Sequence, residues 1–184
     1  MTDVPLEHGC YTTPPGMGGW FSSLFPTLCF YPRYLGITLR SAAMAKRGDY
    51  DTEAWRSSSV DVLRALERVG CRFEIEGADH LGATGGPCVV VGNHMSTLET
   101  MVLPALVALY HEVTFIVKQS LVDYPVFKHV MRSRDPITVA RESPRADLKA
   151  MLDGGMKRLQ AGTSIIVFPQ GARMPQFDPS KSET

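Results

Sequence analysis

Cys88-Val89-Val90-Val91-Gly92-Asn93-His94-Met95-Ser96-Thr97-Leu98-Glu99 is the stretch that decides the fold. Its first four residues form a short, continuous run rich in β-branched side chains, the pattern of a strand covered on both faces. The chain leaves that run through a glycine. From Thr97 to Leu109 the apolar residues then recur at helical spacing, with a bend at Pro104. The alternation repeats downstream. Val113-Thr114-Phe115-Ile116-Val117 and Ser164-Ile165-Ile166-Val167-Phe168 read as two more buried strands, and Ile137-Thr138-Val139 as a weaker one. Ala146 to Leu159 reads as a helix with Leu148, Leu152 and Leu159 on one face, weakened by Gly154-Gly155 and stopped before Gly162. Strands alternating with helices predict an α/β fold, a mainly parallel sheet flanked by helices.

Towards the N-terminus the pattern changes. Gly82 to Pro87 is a turn, and Cys71 to Gly77 alternates as a half-buried strand with Phe73 and Ile75 inward. Val62, Leu63, Leu66 and Val69 lie at helical spacing with Gly70 as a stop, and Gly48 to Glu53 is a polar break. Residues 9 to 32 carry no charged side chain, but Pro14, Pro15, Pro26 and Pro32 interrupt them. The densest apolar part, Trp20 to Tyr31, is well short of the ~20 residues that span a bilayer as a helix. No basic stretch precedes it, so a secretory signal fits badly. Aromatic residues followed by Arg33, Arg40, Lys46 and Arg47 suit a membrane interface; packing onto the domain behind is the equal alternative. The expected division is a membrane-associating amphipathic segment over 1–58 and a catalytic domain over 59–184.

Composition narrows the class. The 184 residues carry 19 basic and 19 acidic side chains, so the broad positive field of a nucleic-acid binder is absent. Four cysteines without a CxxC or Cys/His pairing argue against zinc and against a disulfide framework, and for a reducing, cytosol-facing location.

Chemistry in such sheets collects at the carboxyl ends of the strands. His94 leaves the first buried strand there, and Glu99 follows five positions later on the first turn of the next helix. A histidine held by a carboxylate is a base able to take a proton from an alcohol. Two plainer readings stand beside it. His94 can be a hydrogen-bonded structural residue, and Ser96 with Glu99 spells a Ser-x-x-Glu capping box. No Gly-x-Ser-x-Gly elbow is present, which disfavours a conventional lipase.

Asn93-His94 with Glu99 resembles the first block of the glycerolipid acyltransferase family, which includes the lysophosphatidic acid acyltransferases. Further blocks follow in the family's order. Lys118, Leu121, Pro125 and Phe127 resemble its Lys-x-x-Leu-x-x-x-Pro-x-Phe stretch, Ile137-Thr138-Val139-Ala140-Arg141 its second block, and Phe168-Pro169-Gln170-Gly171-Ala172-Arg173 its third, Phe-Pro-Glu-Gly-Thr-Arg. The similarity runs from about Val60 to Arg173. Three positions depart from it. Glu99 stands for the usual aspartate, Gln170 for glutamate and Ala172 for threonine; Gln170 keeps hydrogen-bonding reach without the negative charge.

The resemblance implies transfer of a fatty acyl group from acyl-CoA or acyl-carrier protein to the hydroxyl of lysophosphatidic acid or a related lysophospholipid, in phospholipid biosynthesis. His94 is the base and Glu99 its partner. Arg173 and Arg141 hold the acceptor phosphate, backbone amides near Gly171 face the oxyanion, and Gln170 and Lys118 complete the substrate site. It implies no metal or other cofactor, and a place on the cytosolic face of the cell membrane, monotopic or peripheral. The family domain continues past its third block, so the chain is expected to be incomplete at its C-terminus, as a fragment or a truncated gene product, with an unpaired sheet edge. The alternatives are a different lipid alcohol as acceptor, hydrolysis at the same His94, or a non-catalytic membrane-binding remnant.

Overall fold

A computed structural model of the chain describes residues 3–125 and 127–170. It begins with a short strand, β1 (Tyr11–Thr12), then helix α1 (Trp20–Leu24) and the long helix α2 (Pro26–Arg47). The prolines do not break this segment as the sequence reading expects. Pro26 occupies the first turn of α2, where a missing N–H is harmless, and the helix runs on through Pro32. Burial of Phe30, Tyr34 and Ile37 against the core offsets the bond that Pro32 removes. Gly48 ends α2 in the left-handed conformation (φ 83°), its N–H returning to the Ala45 and Met44 carbonyls.

Helix α3 (Thr52–Glu67) is capped by Asp51, whose carboxylate accepts the Ala54 N–H at 2.8 Å. It is the central buried helix: Leu63 is wholly inaccessible, and Val60 and Leu66 pack with Val4, Tyr11, Val102 and Ala105. Its last residue, Glu67, is also buried. The Glu67 carboxylate accepts hydrogen bonds from the Tyr11 hydroxyl, from Thr13 Oγ1 at 2.8 Å and from Arg64 Nη1 at 2.9 Å. This cluster fastens the N-terminal segment to α3. A buried charge is tolerable there because three donors satisfy it.

After α3 the stretch from Cys71 to Gly77 alternates in burial as expected, but only β2 (Glu74–Ile75) is a strand. It pairs antiparallel with β1, Tyr11 opposite Ile75, in a sheet of two strands separate from the main one. A short 3-10 helix, Ala78–Thr84, leads into the α/β part. There β3 (Val89–Val91), α4 (Leu98–Val102), α5 (Pro104–Val107), β4 (Glu112–Lys118), α6 (Gln119–Val122), α7 (Lys128–Ser133), β5 (Ile137–Val139), α8 (Pro144–Gln160) and β6 (Thr163–Val167) follow in turn. The four strands β3 to β6 lie in the order β3-β6-β4-β5 and are all parallel. All four carboxyl ends therefore share one edge. Trp55, Val107, Val113, Phe115 and Ile166 fill the core between α3 and this sheet.

Two expectations need correction. The Cys88–Val91 run is not covered on both faces: Val90 packs inward, whereas Val89 and Val91 are 49% and 65% exposed. Alternate residues of a strand face opposite sides, and β3 is the outermost strand of the described sheet. In α8, Leu148 and Leu152 face outward, and Gly155 is the buried residue.

Candidate active site

The loop between β3 and α4 is shaped by its polar groups. Glu99 accepts the N–H groups of Met95 (2.7 Å) and Ser96 (2.7 Å) and the Ser96 hydroxyl (2.9 Å), while Ser96 Oγ accepts the Leu98 N–H (2.9 Å). This is the reciprocal pattern of a capping box. Partial burial pushes the Glu99 pKa up, but hydrogen bonds from its own backbone, from Ser96 and from Met95 outweigh it and hold the carboxyl below its ordinary value. Glu99 is thus ionised at neutral pH, and it clamps the loop that presents His94.

His94 itself is half-buried. Its backbone N–H donates to Oε1 of Gln170, a buried residue beyond the end of β6. The imidazole stacks on Phe168 with centroids 4.7 Å apart and planes 22° from parallel. Phe168 in turn stacks on Phe115 at 6.1 Å, and Phe115 meets Trp55 edge-on at 5.6 Å. Gly92 makes room for this arrangement, since a Cβ there would lie 3.2 Å from the Phe168 ring. The sequence reading places Phe168 in a block but assigns it no role; a ring at the end of a buried strand, one residue before Pro169, was the available signal.

Arg141 and Lys118 arrive from the two neighbouring strands. Lys118 is the last residue of β4, and Arg141 follows β5. Arg141 adopts a left-handed backbone (φ 60°), held by Asp147 of α8, whose carboxylate oxygens accept the Ala140 N–H at 3.0 Å and the Arg141 N–H at 2.9 Å. That clamp is legible only in the structure. Of the residues expected in the site, His94, Lys118 and Arg141 line one cavity of about 530 Å³, and Gln170 and Glu99 support the His94 loop. Gly171 and Arg173 lie outside the described residues. The rest of the cavity is largely apolar, with Tyr34, Trp55, Met101, Phe115 and Phe168 in its wall, and Ser41, Tyr50 and Ser58 adding hydroxyls. The N-terminal helices thus contribute a wall of the cavity that reading by motif did not foresee.

A histidine, two cations and a largely apolar chamber thus meet at the carboxyl edge of a parallel sheet in an α/β domain, the place where such folds bind ligands. The chain belongs to the glycerolipid acyltransferase family: the family model described as Acyltransferase matches residues 72–181. A relative from Pseudomonas aeruginosa, a 1-acyl-sn-glycerol-3-phosphate acyltransferase, is 29% identical over 121 residues, which cover 66% of this chain and 44% of the relative. A chloroplastic 1-acyl-sn-glycerol-3-phosphate acyltransferase of Brassica napus is 31% identical over 102 residues, covering 55% and 28% respectively. A chloroplastic enzyme of the same description from Arabidopsis thaliana is 29% identical over 102 residues, covering 55% and 28%. The matches thus span less than half the length of these curated relatives. No solved structure matches the chain.

Proposed function

We propose that this chain carries the base-bearing part of an acyltransferase that moves a fatty acyl group from acyl-CoA or acyl-carrier protein to the hydroxyl of lysophosphatidic acid or a related lysophospholipid. The observation behind this reading is the shared cavity: His94 and Arg141 line one chamber that is otherwise mainly apolar. An apolar chamber suits an acyl chain, a guanidinium suits a phosphate, and a histidine in the same chamber suits proton removal from the hydroxyl. In this mechanism neutral His94 takes the acceptor proton as the oxygen attacks the thioester carbonyl. The tetrahedral intermediate then expels the thiolate, which recovers the proton from the imidazolium. Stacking on Phe168 and the Gln170 contact to the His94 amide fix the base before substrate arrives. Arg141, with Arg173, holds the phosphate in this reading.

The segment over 1–58 serves, in the same reading, to hold the enzyme on the cytosolic leaflet. Among the described residues no helix is long and apolar enough to cross a membrane. Trp20, Leu24, Leu28, Tyr31, Leu35 and Leu39 are each more than half exposed, which suits monotopic contact.

The test is acyl transfer from a radiolabelled thioester to lysophosphatidic acid, with other lysophospholipids and water as competing acceptors. His94→Ala is expected to lower the rate on the order of 10²–10⁴-fold while leaving the circular dichroism unchanged. A fully active His94→Ala protein would remove the mechanism.

A further inference from the structure

On the other side of α2 a second cavity of about 780 Å³ opens between α2, α3 and the N-terminal segment. It shares only Ile37 with the cavity that holds His94, so α2 is the wall between the two. Its lining is unlike that of the first. Arg33 and Arg40 come from α2, Arg64 and Arg68 from α3, and Asp61 is the single carboxylate in the wall. Arg40 is paired with Asp61, and Arg64 with the buried Glu67 at 2.9 Å. Among the described residues Arg33 donates only to the Cys29 carbonyl, at 3.3 Å, and Arg68 engages only through its backbone, where its carbonyl accepts the Ser22 hydroxyl at 2.6 Å and its N–H reaches the Arg64 carbonyl. The groove therefore carries two guanidinium charges with no carboxylate of their own among the described residues, both on exposed side chains.

The groove lies beside the exposed apolar face of α2. At helical spacing Leu28, Tyr31, Leu35 and Leu39 form one exposed stripe of α2, while Phe30, Tyr34, Ile37 and Ser41 form the buried one. Arg33, Gly36 and Arg40 occupy an edge between the two. A Cβ at Gly36 would meet nothing within 4 Å, so that glycine leaves open space between the two arginines rather than serving a close contact. With the apolar stripe laid into a bilayer, this edge stands at headgroup depth, where cations meet lipid phosphates. Met17, Pro14 and Ile37 in the lining add apolar surface for the glycerol and first methylenes of a lipid.

We propose that the groove between α2 and α3 binds the phosphate of an anionic membrane phospholipid, at a site separate from the acceptor phosphate beside Arg141. The proposal rests on the membrane attachment proposed above. The guanidinium groups of Arg33 and Arg68 hold the phosphate oxygens by charge-assisted hydrogen bonds. The bound lipid fixes which edge of α2 faces the headgroups, and with it the orientation of the His94 cavity towards the bilayer.

The experiment is flotation of the protein with phosphatidylcholine vesicles and with vesicles in which about one-fifth of the lipid is phosphatidylglycerol. Arg33→Gln/Arg68→Gln is expected to reduce the preference for anionic vesicles on the order of tenfold and to leave binding to neutral vesicles unchanged. The charge-matched pair Arg145→Gln/Lys157→Gln on α8 is expected to keep that preference, and inorganic phosphate at equal ionic strength to compete no better than chloride. The proposal is overturned if the groove variant keeps its anionic preference, if the α8 pair loses it equally, or if inorganic phosphate alone abolishes it. Failure of the underlying attachment looks different: Trp20→Ser/Phe21→Ser would then leave neutral-vesicle binding intact, whereas loss of the anionic preference in the groove variant would still support the phosphate site.

Discussion

Glu99 shows how much one side chain can decide. Its carboxylate gathers two backbone amides and the Ser96 hydroxyl, so the capping geometry is realised in the structure. The cap and the loop that carries His94 are one object, because the amides it binds adjoin His94. Glu99→Ala should cost about 0.5–2 kcal/mol of stability, as loss of a helix cap does, and should also lower turnover because His94 loses its frame. The folded carboxyl titrates below its ordinary value of 4.5, so its stabilising contribution is full above that value and is lost as pH falls through the depressed one. Urea unfolding of wild type and Glu99→Ala should therefore differ at neutral pH and converge in acid, once the pH has fallen through the depressed value. A constant difference across that range would assign the effect to packing instead. The spacing of Ser96 and Glu99 was legible in the sequence; which of its readings holds the loop needed the distances.

At the scale of elements, α8 contradicts the simplest pattern reading. Three leucines at helical spacing mark Leu148, Leu152 and Leu159 as the inner face, yet Leu148 and Leu152 are 52% and 59% exposed. The helix turns its glycines to the sheet because that face lies close to β5 and β6. A Cβ on Gly154 would come within 3.0 Å of Ile137, and one on Gly155 within 3.5 Å of Ile165. These distances separate two otherwise similar substitutions. Gly155→Ala should gain the ~0.5–1 kcal/mol of an alanine over a glycine in a helix, since 3.5 Å is ordinary contact. Gly154→Ala should be no more stable than wild type, because overpacking of about 1–3 kcal/mol cancels the gain. Thermal unfolding of the two variants in parallel gives the answer, and a rise in Tm for Gly154→Ala would show that Ile137 moves aside.

For the whole molecule, the N-terminal segment has two faces in different surroundings. Val4 and Tyr11 are buried in the core and Glu67 anchors β1, so this segment cannot be deleted without opening the fold. The same segment exposes Trp20, Phe21, Leu24 and Leu28. Trp20→Ser/Phe21→Ser/Leu28→Ser should accordingly leave the unfolding midpoint within a degree or two, as surface changes do, while releasing the protein from vesicles in a flotation assay. Unchanged flotation would mean that this apolar face meets protein rather than lipid.

The sequence by itself determined the α/β class, the order of the buried strands and the block around His94. These are local properties: β-branched runs, helical spacing and residues adjacent along the chain. It also marked Lys118 and Arg141, through the blocks that resemble the family's. Only the tertiary structure decided the sheet order β3-β6-β4-β5, which places β6 between β3 and β4 and so sets Phe168 under His94. The same is true of the Asp147 clamp on Arg141, the outward face of α8 and the second cavity behind α2. Each depends on contacts between residues far apart in the chain, whose pairing is set by which faces can be buried together and not by any local preference.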